Sequence, residues 1–336
     1  MEFDKNLKNY LNRDEFKDAL GIPKNYNITY KKLAQGEYNI NYILLHPITN
    51  KKMILRINTG SQMHLNNQIE YEFNALKLLE KSNRTPKPIF IDGSKEYLDY
   101  GLMVMEFLEG RSLNYKTDLN LAAECLADIH ATIVSENSGL IYPKNPIEAI
   151  LFECNEMFKI YYDSRLSKKE VKSKIKRLLS LGEKKLKDEN EYSGYRCCVN
   201  TELNSGNFLI NGHNRNNYLV DWEKPILSTP IQDLGHFLAP TTTFWKTDII
   251  LSKEENEKFV NEYINAVNNR FVINNLNEQL NLFIAINCLR GITWCSMAYI
   301  QYNSYDKLIK NGDTYKKLEA YLEKSFLEYI ENMYFK

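Results

Sequence analysis

Apolar and polar positions alternate in short runs through the first hundred residues, which is the period of half-buried strands. Such runs cover 28–33, 39–45 and 52–57. His46-Pro47-Ile48-Thr49-Asn50-Lys51 has turn chemistry and joins the last two as a hairpin. Two further runs, 89–92 and 102–107, flank a polar loop. Between the third and fourth runs the period becomes helical over 65–81. Ile69, Phe73, Leu76 and Leu79 share one stripe there, and Glu70, Asn74, Lys77 and Lys81 the opposite one. Beyond residue 109 the helical period dominates. It predicts helices over 119–134, 146–162, 167–187, 253–271, 276–302 and 313–334, with short strands at 207–210 and 218–221. The expected organisation is a strand-rich lobe at 1–108 with one inserted helix, followed by a larger, mainly helical lobe at 109–336.

Composition narrows the function. Of 336 residues 43% are apolar, enough for a large core, so disorder is excluded. Lys plus Arg equals Asp plus Glu at 43 each, which argues against a nucleic-acid surface. The first residues, Met1-Glu2-Phe3-Asp4-Lys5, contain no apolar signal-peptide region. The longest apolar stretch, 282–300, contains Asn287 and Arg290, so a buried core helix is expected in place of a membrane span. The six cysteines form no C-x-x-C pair and the five histidines no H-x-x-x-H pair. Reduced thiols, no structural zinc and a cytoplasmic location are the expectations, for a monomer or homodimer.

The chemistry concentrates in Val199-Asn200-Thr201-Glu202-Leu203-Asn204-Ser205-Gly206-Asn207-Phe208-Leu209-Ile210 and in Tyr218-Leu219-Val220-Asp221-Trp222-Glu223. Glu202, Asn207 and Asp221 bring two carboxylates and an amide oxygen to the ends of a hairpin. Those are hard oxygen ligands suited to Mg²⁺ with phosphate and water. A polar loop with turn-forming Asn and Gly is the plain alternative.

This segment resembles the catalytic loop of the aminoglycoside phosphotransferase and choline kinase-like superfamily. That family's pattern is H-x-D-x-x-x-x-N, then an [IV]-D-[WF]-E strand end, then a P-x-x-D-L-[AG] helix start. Here the segments are N-T-E-L-N-S-G-N, V-D-W-E and Pro230-Ile231-Gln232-Asp233-Leu234-Gly235. The resemblance covers nearly the whole chain and implies a protein-kinase-like α+β fold, with a small antiparallel sheet and a helical lobe. It also implies a phosphotransferase that uses ATP or GTP with Mg²⁺ on a hydroxylated small molecule. Asn207 and Asp221 match the metal positions. Glu202 stands where the family has its catalytic Asp, and Asn200 where it has His. The extra methylene matters, because a displacement on the order of 1 Å can cost roughly 100-fold in rate.

By the same resemblance, Gln35, Gly36 and Asn39 in the loop between the first two strands face the nucleotide. Arg56 is the strand-borne cation on the phosphates. The backbone of Glu106, Phe107 and Leu108 meets the adenine edge. The partner of Arg56 follows from the helical pattern. Glu70 lies on the polar stripe, whereas Glu72 flanks the apolar face between Ile69 and Leu76, and an inward carboxylate wants a cation. His130, on an apolar stripe with Leu126 and Ile133, is expected to be a packed structural residue. Asp233 is expected to brace the catalytic region.

The acceptor side is assigned to Trp245, Trp294 and Glu223. Trp294 shares a stripe with Asn287, Gly291, Ala298 and Tyr302, so small residues beside an indole form either a pocket floor or tight helix packing. An aromatic cage would bind a quaternary ammonium. An amino alcohol, an aminosugar or another hydroxylated metabolite all fit. Two other readings stand beside the kinase: a nucleotide-binding pseudokinase, and a small-molecule binding module without nucleotide.

Overall fold

The computed structural model describes residues 2–61, 63–186, 192–304 and 312–336. Five antiparallel strands form the first sheet: β1 (Thr29–Gln35), β2 (Asn39–Leu45), β3 (Lys52–Asn58), β4 (Pro88–Asp92) and β5 (Gly101–Glu106), in the order β1-β2-β3-β5-β4. The helix α3 (Gln68–Leu79) is inserted between β3 and β4.

The central β3 is buried on both faces, and its alternation divides the lobe. Met53, Leu55 and Ile57 point to one cluster with Leu44, Leu102 and Val104, while Ile54 points to the other with Ile69, Leu76 and Met103. Arg56 has the parity of Ile54 and so faces α3. The face opposite α3 is covered by two helices that the strand-rich reading omits, α1 (Glu2–Leu11) and α2 (Asp14–Ala19). Leu7, Tyr10, Leu11 and Phe16 supply its buried apolar layer. Without that layer Leu44, Leu55 and Val104 would face water.

The second lobe is helical. It contains α4 (Leu119–His130), α5 (Pro146–Asp163), α6 (Lys169–Leu186), α7 (Pro230–Leu238), α8 (Pro240–Lys246), α9 (Lys253–Val267), α10 (Leu276–Asn303), α11 (Gly312–Tyr321) and α12 (Lys324–Tyr334). Short strands β6 (Cys197–Val199) and β9 (Ile226–Ser228) pair, as do β7 (Phe208–Leu209) and β8 (Tyr218–Leu219). The expected end of the sixth helix at 187 lies outside the described residues. The helix expected over 253–271 stops at Val267, because Asn268 and Asn269 take left-handed backbone. The helix expected over 313–334 is two. Leu322 and Leu327 are both buried, yet five residues apart they would lie on different sides of one continuous helix. A break at Leu322-Glu323 turns both inward.

The 28-residue α10 is long and apolar enough to cross a membrane, but it lies mostly buried within the protein as the central helix. All six cysteines are free and buried.

Candidate active site

Asp233, in the first turn of α7, organises the loop after β6. Its carboxylate accepts from the backbone N–H of Asn200 (2.9 Å) and of Thr201 (2.8 Å). It also meets His130 Nε2 at 3.2 Å, and His130 Nδ1 reaches the Tyr263 hydroxyl at 2.8 Å. His130 is fully buried and fully partnered, so its role is structural. Asn200 donates to the Asp221 carbonyl (3.0 Å), and its side-chain oxygen accepts from Glu202 N–H (3.1 Å). Asn207 Nδ2 donates to the Glu202 carbonyl at 2.9 Å, which turns the amide oxygen of Asn207 to the opposite side. Thr201 and Asp221 hold left-handed backbone at φ 67° and 65°. Such non-glycine conformations cost about 1–3 kcal/mol each and cluster where surrounding contacts over-determine them. Trp222, buried and donating to the Leu219 carbonyl at 3.0 Å, anchors the turn that presents Asp221.

Across the cleft, Arg56 on β3 is 4% exposed and Glu72 on α3 1%. Arg56 Nε stands 3.1 Å from Glu72, and its Nη2 stands 2.8 Å from Asp221 and 3.4 Å from Glu223. Burial pushes the Glu72 carboxyl up to about 7 against the pull of Arg56. Burial, helped by the charge of Asp221, pushes Glu223 up to about 8. Glu70, on the polar stripe, is exposed.

One cavity of about 620 Å³ begins at Glu37 and Tyr38, passes Glu202, Asn207, Asp221 and Glu223, and ends among α8 and α10. Its far wall holds Thr241, Trp245, Arg290, Gly291, Trp294 and Ala298. Trp245 and Trp294 meet edge to face, with centroids 5.3 Å apart at 87°. Both indoles are half-buried and line the cavity, so the Trp294 stripe forms a floor as well as a helix contact.

The remaining sequence-assigned residues divide. Asn39 is buried, donates to Glu223 and accepts from Asn58 Nδ2 at 3.1 Å. Its side chain ties the β1–β2 loop to the helical lobe. Gln35 is exposed and accepts from Lys32 at 2.6 Å, and the Gly36 N–H closes the turn onto the Asn39 carbonyl at 2.9 Å. The Glu106 N–H is engaged by the Lys87 carbonyl at 2.9 Å, and Phe107 and Leu108 follow the strand half-buried. None of these three lines the cavity. Glu223 lines it, but its carboxylate is engaged by Arg56 and Asn39, which belong to the sheet lobe.

The oxygen set suits Mg²⁺. Asp221 presents a carboxylate and Asn207 an amide oxygen to the same cavity, and both are the hard oxygen donors that Mg²⁺ takes. Among the described residues, no group of three or more His, Cys, Asp or Glu could hold a metal ion.

A family model described as the phosphotransferase enzyme family matches residues 29–266, more than half of the chain. The chain belongs to that family. A spectinomycin phosphotransferase in complex with ADP and spectinomycin is 15% identical, with TM-score 0.65 over 97% of this chain and 96% of that one. An ethanolamine kinase of Plasmodium vivax is 16% identical, with TM-score 0.65 over 96% and 88%. A choline kinase of Cryptosporidium parvum is 14% identical, with TM-score 0.67 over 94% and 93%. No curated protein matches the chain by sequence. At these identities the likeness shows the fold, which is the kinase-like two-lobed fold expected from the motifs.

Within this phosphotransferase scaffold, one group of site residues escapes the sequence reading. Arg290 on α10 reaches Glu153 on α5 at 2.9 Å, the Thr201 carbonyl at 3.1 Å and Glu202 at 3.6 Å. Lys224 reaches Glu153 at 3.0 Å and Glu202 at 3.9 Å. Burial alone would raise the Glu153 carboxyl, but the two cations hold it down at about 2. Burial raises Glu202 above the usual carboxylate range despite the same cations. His236 also lines the cavity, and burial beside Arg290 lowers its imidazole to about 3, so it is neutral. The presence of Arg290 in an apolar helix was a legible sign that a carboxylate must approach it. Glu153, 137 positions away, carried no such sign.

Proposed function

We propose that the protein transfers the terminal phosphoryl group of ATP or GTP, with Mg²⁺, to a hydroxyl of a small molecule. The observation that carries this reading is the single cavity shared by Glu202, Asn207, Asp221 and the two indoles. Spectinomycin, ethanolamine and choline, named with the structural relatives, are small hydroxyl-bearing molecules, which supports an acceptor of that size.

In the transfer, the acceptor oxygen bonds to phosphorus as the bond to the departing nucleoside diphosphate breaks. The hydroxyl proton passes to the Glu202 carboxylate, whose raised affinity for protons suits a base. Asn207 and Asp221 would hold Mg²⁺, which when bound neutralises phosphate charge. Arg56, braced by Glu72, holds phosphate after exchanging its bond to Asp221 for the nucleotide. The second lobe orients the acceptor, so catalysis is mostly positioning and charge neutralisation.

The test is nucleoside diphosphate release by the full chain with Mg·ATP or Mg·GTP over a panel of hydroxylated acceptors, alongside thermal shift with each nucleotide. Transfer that Glu202→Gln removes supports the reading. A nucleotide-dependent shift without transfer to any acceptor replaces it with the pseudokinase, and no shift at millimolar nucleotide removes nucleotide binding altogether.

A further inference from the structure

The cavity supplies two charged ends of different character. Its four lining carboxylates, Glu37, Glu202, Asp221 and Glu223, lie at the catalytic and nucleotide end. Each is already engaged. Asp221 and Glu223 both meet Arg56, and Glu202 meets Arg290 and Lys224, which Glu153 holds in place. Glu37 is on the β1–β2 loop of the other lobe and is not free. Arg290 stands at the junction of the two ends, 3.6 Å from Glu202, and beyond it the charged side chain among the described lining residues is that of the exposed Lys246, a cation. The rest of that wall is hydroxyl, amide and indole: Thr241, Thr242, Asn287, Gln301, Trp245 and Trp294. His236 adds no charge at neutral pH.

An ammonium brought into this end would leave water and, among the described lining residues there, find no carboxylate. Desolvating a charge without a partner is the costliest exchange a pocket can demand. Neutral hydroxyls, in contrast, meet donors and acceptors of their own kind, and the C–H face of a ring packs on an indole. We propose that the acceptor is an uncharged, hydroxylated ring compound of the neutral-sugar class, and not an amine. This deepens the phosphotransferase reading and rests on it. The atoms balance as before: the ring hydroxyl gains phosphorus, its proton goes to Glu202, and the nucleoside diphosphate leaves.

The test compares matched pairs on the full chain: glucose with glucosamine, and inositol with an aminated inositol. Choline serves as a probe of pure cation–π recognition. Binding is read by indole fluorescence with Mg·ADP present, and turnover by diphosphate release. We expect the neutral member of at least one pair to bind at least about tenfold more tightly than its aminated partner, the factor that 1.4 kcal/mol represents.

Gln301 is exposed at the cavity edge, so Gln301→Glu should leave the fold intact while adding a carboxylate to this end. That variant should improve binding of the aminated members about two- to fivefold, the range of an exposed ion pair, with no gain for the neutral ones. Equal or tighter binding of the amines or of choline by the wild type overturns the proposal, as does failure of every neutral member to bind. The nucleotide thermal shift is read on the same samples. A normal shift with amine preference overturns only the acceptor class, whereas an absent shift overturns the phosphotransferase reading beneath it.

Discussion

Arg56 spans the cleft between the lobes: its Nη2 stands 2.8 Å from Asp221 in the helical lobe, and its Nε 3.1 Å from Glu72 in the sheet lobe. Asp221 can let go of the guanidinium, because it is partly exposed and water can solvate it. Glu72 has no such recourse. Removing the cation from a buried pair typically costs about 3–5 kcal/mol, since the orphaned carboxylate has no water. Arg56→Met is therefore expected to destabilise the fold by that amount, and Arg56→Met with Glu72→Leu to recover most of it. The pH dependence has a definite sign. Glu72 is already raised to about 7, and loss of Arg56 raises it further. A raised folded carboxyl stabilises below its unfolded value and loses that contribution as pH rises, so the single-variant penalty should be larger at pH 8 than at pH 5. Denaturant midpoints at the two pH values decide it. A double variant no better than the single one would mean that Glu72 does not depend on Arg56.

Asp221 is paired with Arg56 at 2.8 Å and, in the proposed function, would also hold Mg²⁺. Saturating Mg·ATP at a hundredfold excess over its dissociation constant should raise stability by about 2.7 kcal/mol. Asp221→Asn should remove the part of that rise that requires Mg²⁺ and keep a smaller, metal-independent part from Arg56 and phosphate. Melting temperatures with ATP alone, Mg²⁺ alone and both together separate the two. An unchanged metal-dependent shift in the variant would remove Asp221 from the metal site.

Asp233 holds two backbone N–H groups, those of Asn200 and Thr201, next to a left-handed Thr201. Both are buried. Asp233→Ala orphans them at about 1–3 kcal/mol each and releases the loop that carries Glu202. We expect loss of stability together with loss of transfer. Asp233→Asn, which keeps one acceptor oxygen, should retain more of both. If the alanine variant were as stable as the wild type, the carboxylate would not be the brace.

Much of this arrangement is readable from the chain, for local reasons. Glu72 is distinguished from Glu70 by one apolar stripe, and Asp233 and Asp221 by the order of three short motifs. The N-terminal helices were also written in the pattern: Phe3, Leu7, Tyr10 and Leu11 recur at helical spacing. They were obscured by the alternation that follows them. The break at Leu322-Glu323 carries no Gly or Pro, because packing of Leu322 and Leu327 imposes it from outside the segment. Asn39 is the reverse case. Its type suits a phosphate loop, but its side chain is committed to Glu223 and Asn58, partners that only the tertiary fold brings near. The charge group around Glu202 is the least legible part, since Glu153, Lys224 and Arg290 come from three separated segments.

That group yields the sharpest prediction. Glu153 keeps Arg290 and Lys224 on its own carboxylate, at 2.9 and 3.0 Å, and leaves them at 3.6 and 3.9 Å from Glu202. Burial can therefore raise Glu202, which keeps it basic. In Glu153→Gln the two cations lose their anion, and their charge falls on Glu202, lowering its carboxyl. If Glu202 is the base, transfer requires it ionised, so the acid limb of the kcat profile should move to lower pH. The rate at neutral pH should fall because the carboxylate is a weaker base, but by less than the roughly 100-fold or more expected for Glu202→Gln. The stability profile moves independently. A carboxyl lowered from 4.5 to about 2 contributes stability above 4.5 that is lost as pH falls toward 2. The wild type should show that acid slope, and Glu153→Gln should lack it. A merely structural Glu153 would change the stability profile and leave the acid limb where it was. A limb that stays fixed in Glu153→Gln while Glu202→Gln abolishes transfer would mean that the two cations do not tune the base.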